Sequence, residues 1–188
     1  MRKKILIVDE KIELRLPDEK YATELYNIIN TQRSYLGKWL PWVPRTNKIE
    51  DTQKFLKDAR LFNRGGQKLI TIIFFDKKIA GSVSLVYISK EHGYAELGYW
   101  LSENLQGKGI MTKAVKRLID YAFQHTEVHR IEIEAATKNE KSQSIPKKLG
   151  FKHEGTMREG TKLHGKYIDT ELFSYLRWEW EGRKSAIS

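Results

Sequence analysis

The spacing of hydrophobic and polar positions changes period several times along the chain, and each change marks an element. KIELRLP (11–17) alternates apolar and charged residues, the pattern of a half-buried strand. Asp18 follows in a capping position, and Tyr21, Leu25, Ile28 and Ile29 recur at helical steps, which predicts a helix through about Asn30. RSYLGKWLPWVP (33–44) is rich in aromatics and closed by prolines. Residues 50–64 read as a second helix, with Phe55, Leu56, Ala59 and Phe62 turned inward and Gly65-Gly66 as its stop. The period then falls to two, and 68–75, 78–88 and 94–101 read as strands, the first two joined tightly at Asp76-Lys77-Lys78. A helix at 111–125, a strand at 130–136, a short helix ending near Leu149 and strands at 151–157 and 167–178 complete the order. The opening MRKKILIVDE is predicted to be a frayed lead into the first strand. This order predicts an α/β (α+β) sandwich with a mixed sheet, one domain over 1–188 with its core at about 11–180.

Composition narrows the picture. A chain of 188 residues suits one domain. No apolar run reaches the roughly 18 residues of a membrane helix, so no membrane partner is expected. The first residues hold too few apolar positions for a signal peptide. Cysteine is absent, which excludes disulfides, thiolate metal sites and a cysteine nucleophile, and fits a cytoplasmic location. His125 and His129 lie in HTEVH, but the glutamate is misplaced for a zinc helix and the pair straddles a helix end, so no metal is expected. The net charge of +10 favours polyanionic partners such as nucleic acid, the ribosome or a phosphate-rich cofactor. The lysines are nevertheless spread along the chain, as on any solvated basic surface, and direct DNA binding is not expected.

The candidate chemistry lies in SENLQGKGIMTKAVKRLIDYAF (102–123). A Walker loop would need a glycine five residues before Gly107 and a hydroxyl after Lys108; neither is present. A dinucleotide fingerprint would need a third glycine where Thr112 stands. What remains is geometric. A strand delivers the chain to a glycine turn, and the turn opens a helix pinned by Met111, Ala114, Val115, Leu118, Ile119 and Ala122. The first N–H groups of such a helix are free and favour an anion. From these residues alone, a plain turn and an anion cradle are equally open.

Gln106-Gly107-Lys108-Gly109-Ile110-Met111 resembles the acyl-CoA-binding motif of the GNAT N-acetyltransferases, Q/R-x-x-G-x-G/A, with Met111 departing from the usual small residue. GYWL before it is similar to the ribosomal-protein α-N-acetyltransferase (Rim-type) branch. A second motif agrees: Asn139, Ser142, Lys148-Leu149-Gly150-Phe151 and Glu154-Gly155. The resemblance spans about 11–180 and implies a mostly antiparallel seven-stranded sheet, four main helices, and strands 4 and 5 splayed around acetyl-CoA. It implies direct attack of a primary amine on the thioester, with no metal. The pyrophosphate would sit on the backbone of Gly107–Thr112 beside Gln106, with Lys108 and Lys113 adding attraction. The pantothenate arm would meet Trp100, Leu101 and Asn139. The tyrosine many members use as acid would fall at Pro146, so Ser142, three residues after Asn139, takes that role by resemblance. Pro146 is tolerable there only if the helix starts late, near Ser142 to Ser144. Glu96 is the candidate base, sharing a strand face with Gly98 and Trp100. Glu159 is a second candidate, the branch's own glutamate being replaced by Thr161. Tyr35, Trp39 and Trp42 are expected to line the acceptor mouth. The acceptor implied is a protein N-terminus, such as that of a ribosomal protein, or a small amine such as a polyamine or aminoglycoside. A catalytically weak CoA-binding or ribosome-associated module is the alternative. A cationic acceptor needs a locally acidic groove, for which Glu50, Asp51, Glu96 and Glu159 are available, since only charges within a Debye length of roughly 8 Å count. Relatives often dimerise, and exposed aromatics permit a homodimer.

Overall fold

A computed structural model describes residues 5–185. Strands β1 (Ile5–Ile7) and β2 (Ile12–Arg15) lead to helices α1 (Ala22–Thr31), α2 (Arg33–Gly37) and α3 (Ile49–Gly65). Strands β3 (Leu69–Phe75), β4 (Lys78–Ser89) and β5 (Tyr94–Leu101) follow, then α4 (Ile110–His125), β6 (Arg130–Ala136), α5 (Glu140–Leu149), the hairpin β7 (Lys152–Leu163) and β8 (Lys166–Leu176), and α6 (Arg177–Ser185). One sheet runs in the order β1-β2-β3-β4-β5-β6-β8-β7.

Among the described residues the sheet has eight strands rather than seven, and six α-helices accompany it rather than four. The added strand, β1, pairs antiparallel with β2, while Ile5 and Ile7 remain 43% and 59% exposed, so it carries little burial signal. Helix α6 begins where the alternation of β8 stops, at Arg177, whose guanidinium donates to the carbonyls of Phe123, Thr126 and Val128. In α3, Leu56 and Ala59 are buried as expected, but Phe55 and Phe62 are 44% and 37% exposed. Thr52 and Asn63 take the inward positions, Asn63 because its side chain closes two hydrogen bonds with the backbone of Ile70. Asp18 caps a single 3-10 turn ahead of α1 by accepting from the Lys20 N–H.

Helix α4 lies on one face of the sheet. Its Ile110, Ala114, Val115, Leu118 and Ala122 pack with Val83, Ala95, Leu97, Ile131 and Ile133. On the other face a smaller core joins Leu25, Ile29, Leu36, Val43 and Leu56 to Ile72, Phe74 and Ile79. Every strand pair is antiparallel except β5 with β6. That pairing covers only Tyr94↔Arg130, Ala95↔Ile131 and Glu96↔Glu132. Beyond it β5 continues to Leu101 and β6 to Ala136 without pairing to each other, so the sheet opens into a V at its centre. The splay implied between these strands is present. Among the described residues, no helix is long and apolar enough to cross a membrane.

Candidate active site in the strand cleft

The V between β5 and β6 holds a cavity of about 740 Å³. Its backbone wall is the turn after β5. Gly107 and Gly109 both have φ of +73°, a conformation that side-chain-bearing residues rarely adopt. A Cβ at either would meet nothing within 4 Å, so the constraint is backbone conformation and not space. Gly109 is the N-cap of α4, and the first helical bond runs from the Lys113 N–H to the Gly109 carbonyl. The N–H groups of Ile110, Met111 and Thr112 therefore precede the ladder and are free to meet an anion, with the helix dipole behind them.

Side chains near this turn have structural duties. The Gln106 amide donates to the Tyr35 hydroxyl, and its carbonyl accepts from Lys141 at 2.9 Å. Gln32 makes a second tie, bonding Ser102 at 2.6 Å and accepting from the Glu103 N–H at 2.8 Å. Helix α2, through Tyr35 and its N-cap Gln32, is thus fastened twice to the segment from Ser102 to Gln106. Lys113 is paired with Asp9 at 2.8 Å, which holds the Asp9 carboxyl below its usual range, so Lys113 is committed away from the cavity. Lys108 is exposed and does not line it. Lys141 and Lys148 do.

The opposite wall is β6 and the start of α5. Helix α5 begins at Glu140, earlier than Pro146 alone would suggest, so the late start expected from the proline is corrected. Asn139 is its N-cap, and its Oδ1 accepts from the Ser142 N–H at 3.2 Å. Pro146 sits inside the helix and withholds the N–H that would bond the Ser142 carbonyl. The Tyr99 hydroxyl takes that place, donating to the Ser142 carbonyl at 2.8 Å. The Ser142 hydroxyl in turn donates to Tyr99 Oη at 3.3 Å. Burial pushes the Tyr99 phenol well above the ordinary tyrosine range, partly offset by its bond to Ser142.

Period two places Glu96 on the sheet face opposite Ala95, Leu97 and Tyr99, and the parallel register sets Glu132 beside it. Glu134, two residues on, shares that face. Burial raises the Glu96 carboxyl, and the charge of Glu132 raises it further, against a smaller pull from Lys68. Glu134 is raised by burial, then by Glu96 and Glu132. Arg130 holds Glu132 at 2.6 Å, whereas Glu96 and Glu134 have no ion-pair partner among the described residues. Of these three carboxylates Glu134 lines the cavity, together with Lys141 and Lys148, and none of the four expected to make the groove acidic does. Asp51 is spent capping α3 through the N–H groups of Asn47 and Lys48. Glu159 is exposed at a bulge in β7, in the left-handed region at φ +54°, and does not line the cavity.

The structure therefore brings Tyr35, Trp39, Trp100, Leu101, Gln106, Gly107, Gly109, Ile110, Met111, Thr112, Asn139 and Ser142 to one cavity. Glu96, Lys108 and Trp42 are not in its lining. Trp42 packs against Trp100 instead, ring centroids 6.2 Å apart. Tyr99 and Glu134 line it and were not expected. RIEIEAA did signal two glutamates on one strand face, but only the register shows that this face meets Glu96. Among the described residues no cluster of His, Asp and Glu is arranged to hold a metal.

A family model for the acetyltransferase (GNAT) domain matches residues 11–152. YdaF of Bacillus subtilis (strain 168), provisionally named a ribosomal N-acetyltransferase, is 34% identical over 94% of this chain and 97% of its own. The ribosomal-protein-serine acetyltransferase of Escherichia coli (strain K12) is 29% identical over 89% of this chain and 93% of its own. Among solved structures, the microcin C7 self-immunity acetyltransferase MccE, in complex with acetyl-CoA and AMP, superposes with a TM-score of 0.90 at 32% identity, covering 93% of this chain and 97% of its own.

Proposed function

The chain belongs to the GNAT acetyltransferase family, and from that premise we propose that it is a cytoplasmic, acetyl-CoA-dependent enzyme that acetylates the α-amino group of a protein N-terminus, such as that of a ribosomal protein. The observation that carries this reading is one cavity lined both by the glycine turn that opens α4 and by Asn139, Ser142 and Glu134. The ribosomal relatives support the acceptor class.

The turn at 107–112 binds the pyrophosphate through backbone N–H groups, which carry no counter-charge to neutralise. The unpaired edges of Trp100 and Leu101 on β5 meet the amide-rich arm, and Asn139, whose oxygen is used as a cap, offers its amide N–H₂ from the other side. The amine nitrogen attacks the acetyl carbonyl carbon; the C–N bond forms as the C–S bond breaks. The amine's proton passes to the carboxylate pair of Glu96 and Glu134, with Glu134 the member on the cavity wall. Their raised affinity for protons suits a base that must work near neutral pH. The departing thiolate accepts a hydrogen bond from the Ser142 hydroxyl and takes its proton from that group or from solvent. The same carboxylates attract an ammonium acceptor to a protein of net charge +10.

A small polycationic amine would be drawn to the same carboxylates and is the second reading. Thiol release from acetyl-CoA, measured against N-terminal Ser and Ala peptides, polyamines and aminoglycosides, separates the two. Preference for peptides supports the proposal. Turnover confined to polyamines or aminoglycosides overturns the acceptor assignment, and tight CoA binding without turnover on any of them identifies a binding module.

A further inference from the structure

Inside an α-helix the carbonyl of residue i is bonded by the N–H of residue i+4. For Ser142 that residue is Pro146, which has no N–H and whose ring pushes against the same carbonyl. A carbonyl left so would be under-bonded in a partly buried place. Instead the Tyr99 hydroxyl, arriving from β5 across the cleft, donates to it at 2.8 Å. A phenol has one proton, and here it is used on the carbonyl. Tyr99 Oη can then only accept from Ser142 Oγ, and does so at the long distance of 3.3 Å.

We infer that Tyr99 is the positioning residue for Ser142, and that Pro146 is what makes this positioning available by freeing the carbonyl that Tyr99 grips. This rests on the reading that the Ser142 hydroxyl bonds the leaving sulfur. One phenol contacts both the backbone and the side chain of Ser142, fixing where the hydroxyl points. The hydroxyl's own bond is the weaker of the two, so its hydrogen is free to exchange a neutral acceptor for a thiolate, to which hydrogen bonds are roughly twice as strong. The phenol itself is too poor an acid to protonate the sulfur, since its burial strongly favours the neutral form. It acts through Ser142.

The test reads the thiolate directly and needs no acceptor. CoA bound to the enzyme is titrated by the ultraviolet absorbance of its thiolate, in wild type, Ser142→Ala, Tyr99→Phe and the double variant, alongside kcat and the KM for acetyl-CoA with whichever acceptor turns over. Ser142→Ala is expected to raise the pKa of the bound thiol by about one unit, as loss of a hydrogen bond to the charged form does. Tyr99→Phe is expected to give about half that rise and a kcat loss of about tenfold at unchanged KM, with no further change when Ser142 is already alanine. No shift in Ser142→Ala would remove the role of Ser142 and the inference with it. A shift in Ser142→Ala but none in Tyr99→Phe, or an equal loss in the serine-free background, would overturn the inference alone. Pro146→Ala restores the N–H that competes with Tyr99. It should raise the melting temperature while reproducing part of the Tyr99→Phe shift, and an unaltered thiol pKa there counts against the inference even if Tyr99→Phe fails to fold.

Discussion

The turn at 106–112 and the wall made by β6 and the start of α5 face each other across one cavity, yet the first is built from backbone and the second from side chains. The turn needs glycine at two positions where φ is +73°, and it needs a helix whose first N–H groups are free. Both requirements are local, so they leave a mark in six consecutive residues. The other wall takes Glu134 from β6 and Asn139 and Ser142 from α5 and its cap, with Tyr99 crossing from β5, while Glu96 and Pro146 act on it from outside the lining. Apart from Pro146 inside a helix, none of these residue types is unusual where it stands. Their meaning comes from a parallel register of three residue pairs and from a phenol that crosses the cleft. Binding of a constant, charged portion of a substrate can be assigned to backbone, whereas proton transfer needs groups whose environment is set by their neighbours.

Substitutions can break this contrast or sharpen it. The largest effect on turnover is expected from Ser142→Ala, a kcat loss of about 100-fold, in the range of one lost transition-state hydrogen bond. CoA affinity, by titration calorimetry, should stay within about twofold of wild type. A loss of affinity as large as the loss of turnover would mean that the side-chain wall also binds. Gly109→Val strikes the other wall. Forcing a branched residue to φ +73° costs about 1–3 kcal/mol, so CoA binding should weaken by about tenfold or more, with a lower melting temperature. Unchanged affinity would show that the turn is only a turn.

Glu134→Gln should lower kcat by about tenfold at neutral pH and abolish the rise of rate with pH that a deprotonating base produces. The sign for stability is opposite. A carboxyl whose proton affinity is raised by folding favours the native state below its ordinary value of 4.5 and disfavours it as pH rises through the shifted value. The glutamine variant should therefore melt higher than wild type near pH 7 and lose that advantage near pH 4. A wild-type pH profile would remove Glu134 as the base, and the same measurement on Glu96→Gln decides whether the pair acts together. The smallest effect is expected from Lys108→Ala, because that side chain lies outside the cavity. CoA affinity should fall by less than about threefold, and a loss beyond about 3 kcal/mol, more than one hydrogen bond to a charged group supplies, would move the binding from backbone to side chain.

Legibility followed the same division. Alternation in YAELGYWL and the helical steps from Met111 to Ala122 were enough to place β5, α4 and the turn between them. Asn139 was expected at the cleft only by resemblance, and it lines the cavity while also capping α5. Phe55 and Phe62 misled because a helical step shows which residues share a face, not which face is covered. Pro146 misled for a related reason. A proline inside a helix is costly when the carbonyl it frees has no partner, and nothing near Pro146 in sequence announces that Tyr99, 43 residues before Ser142, takes that carbonyl.

The sequence by itself determined the family, most of the order of elements and the glycine turn that opens α4, because glycine content and hydrophobic period act over a few residues. The eighth strand, the acidic face shared by Glu96, Glu132 and Glu134, and the grip of Tyr99 on Ser142 were decided only in the tertiary structure. Each depends on which strands lie side by side and in what register, and a long-range pairing carries no local signal until the chain has folded.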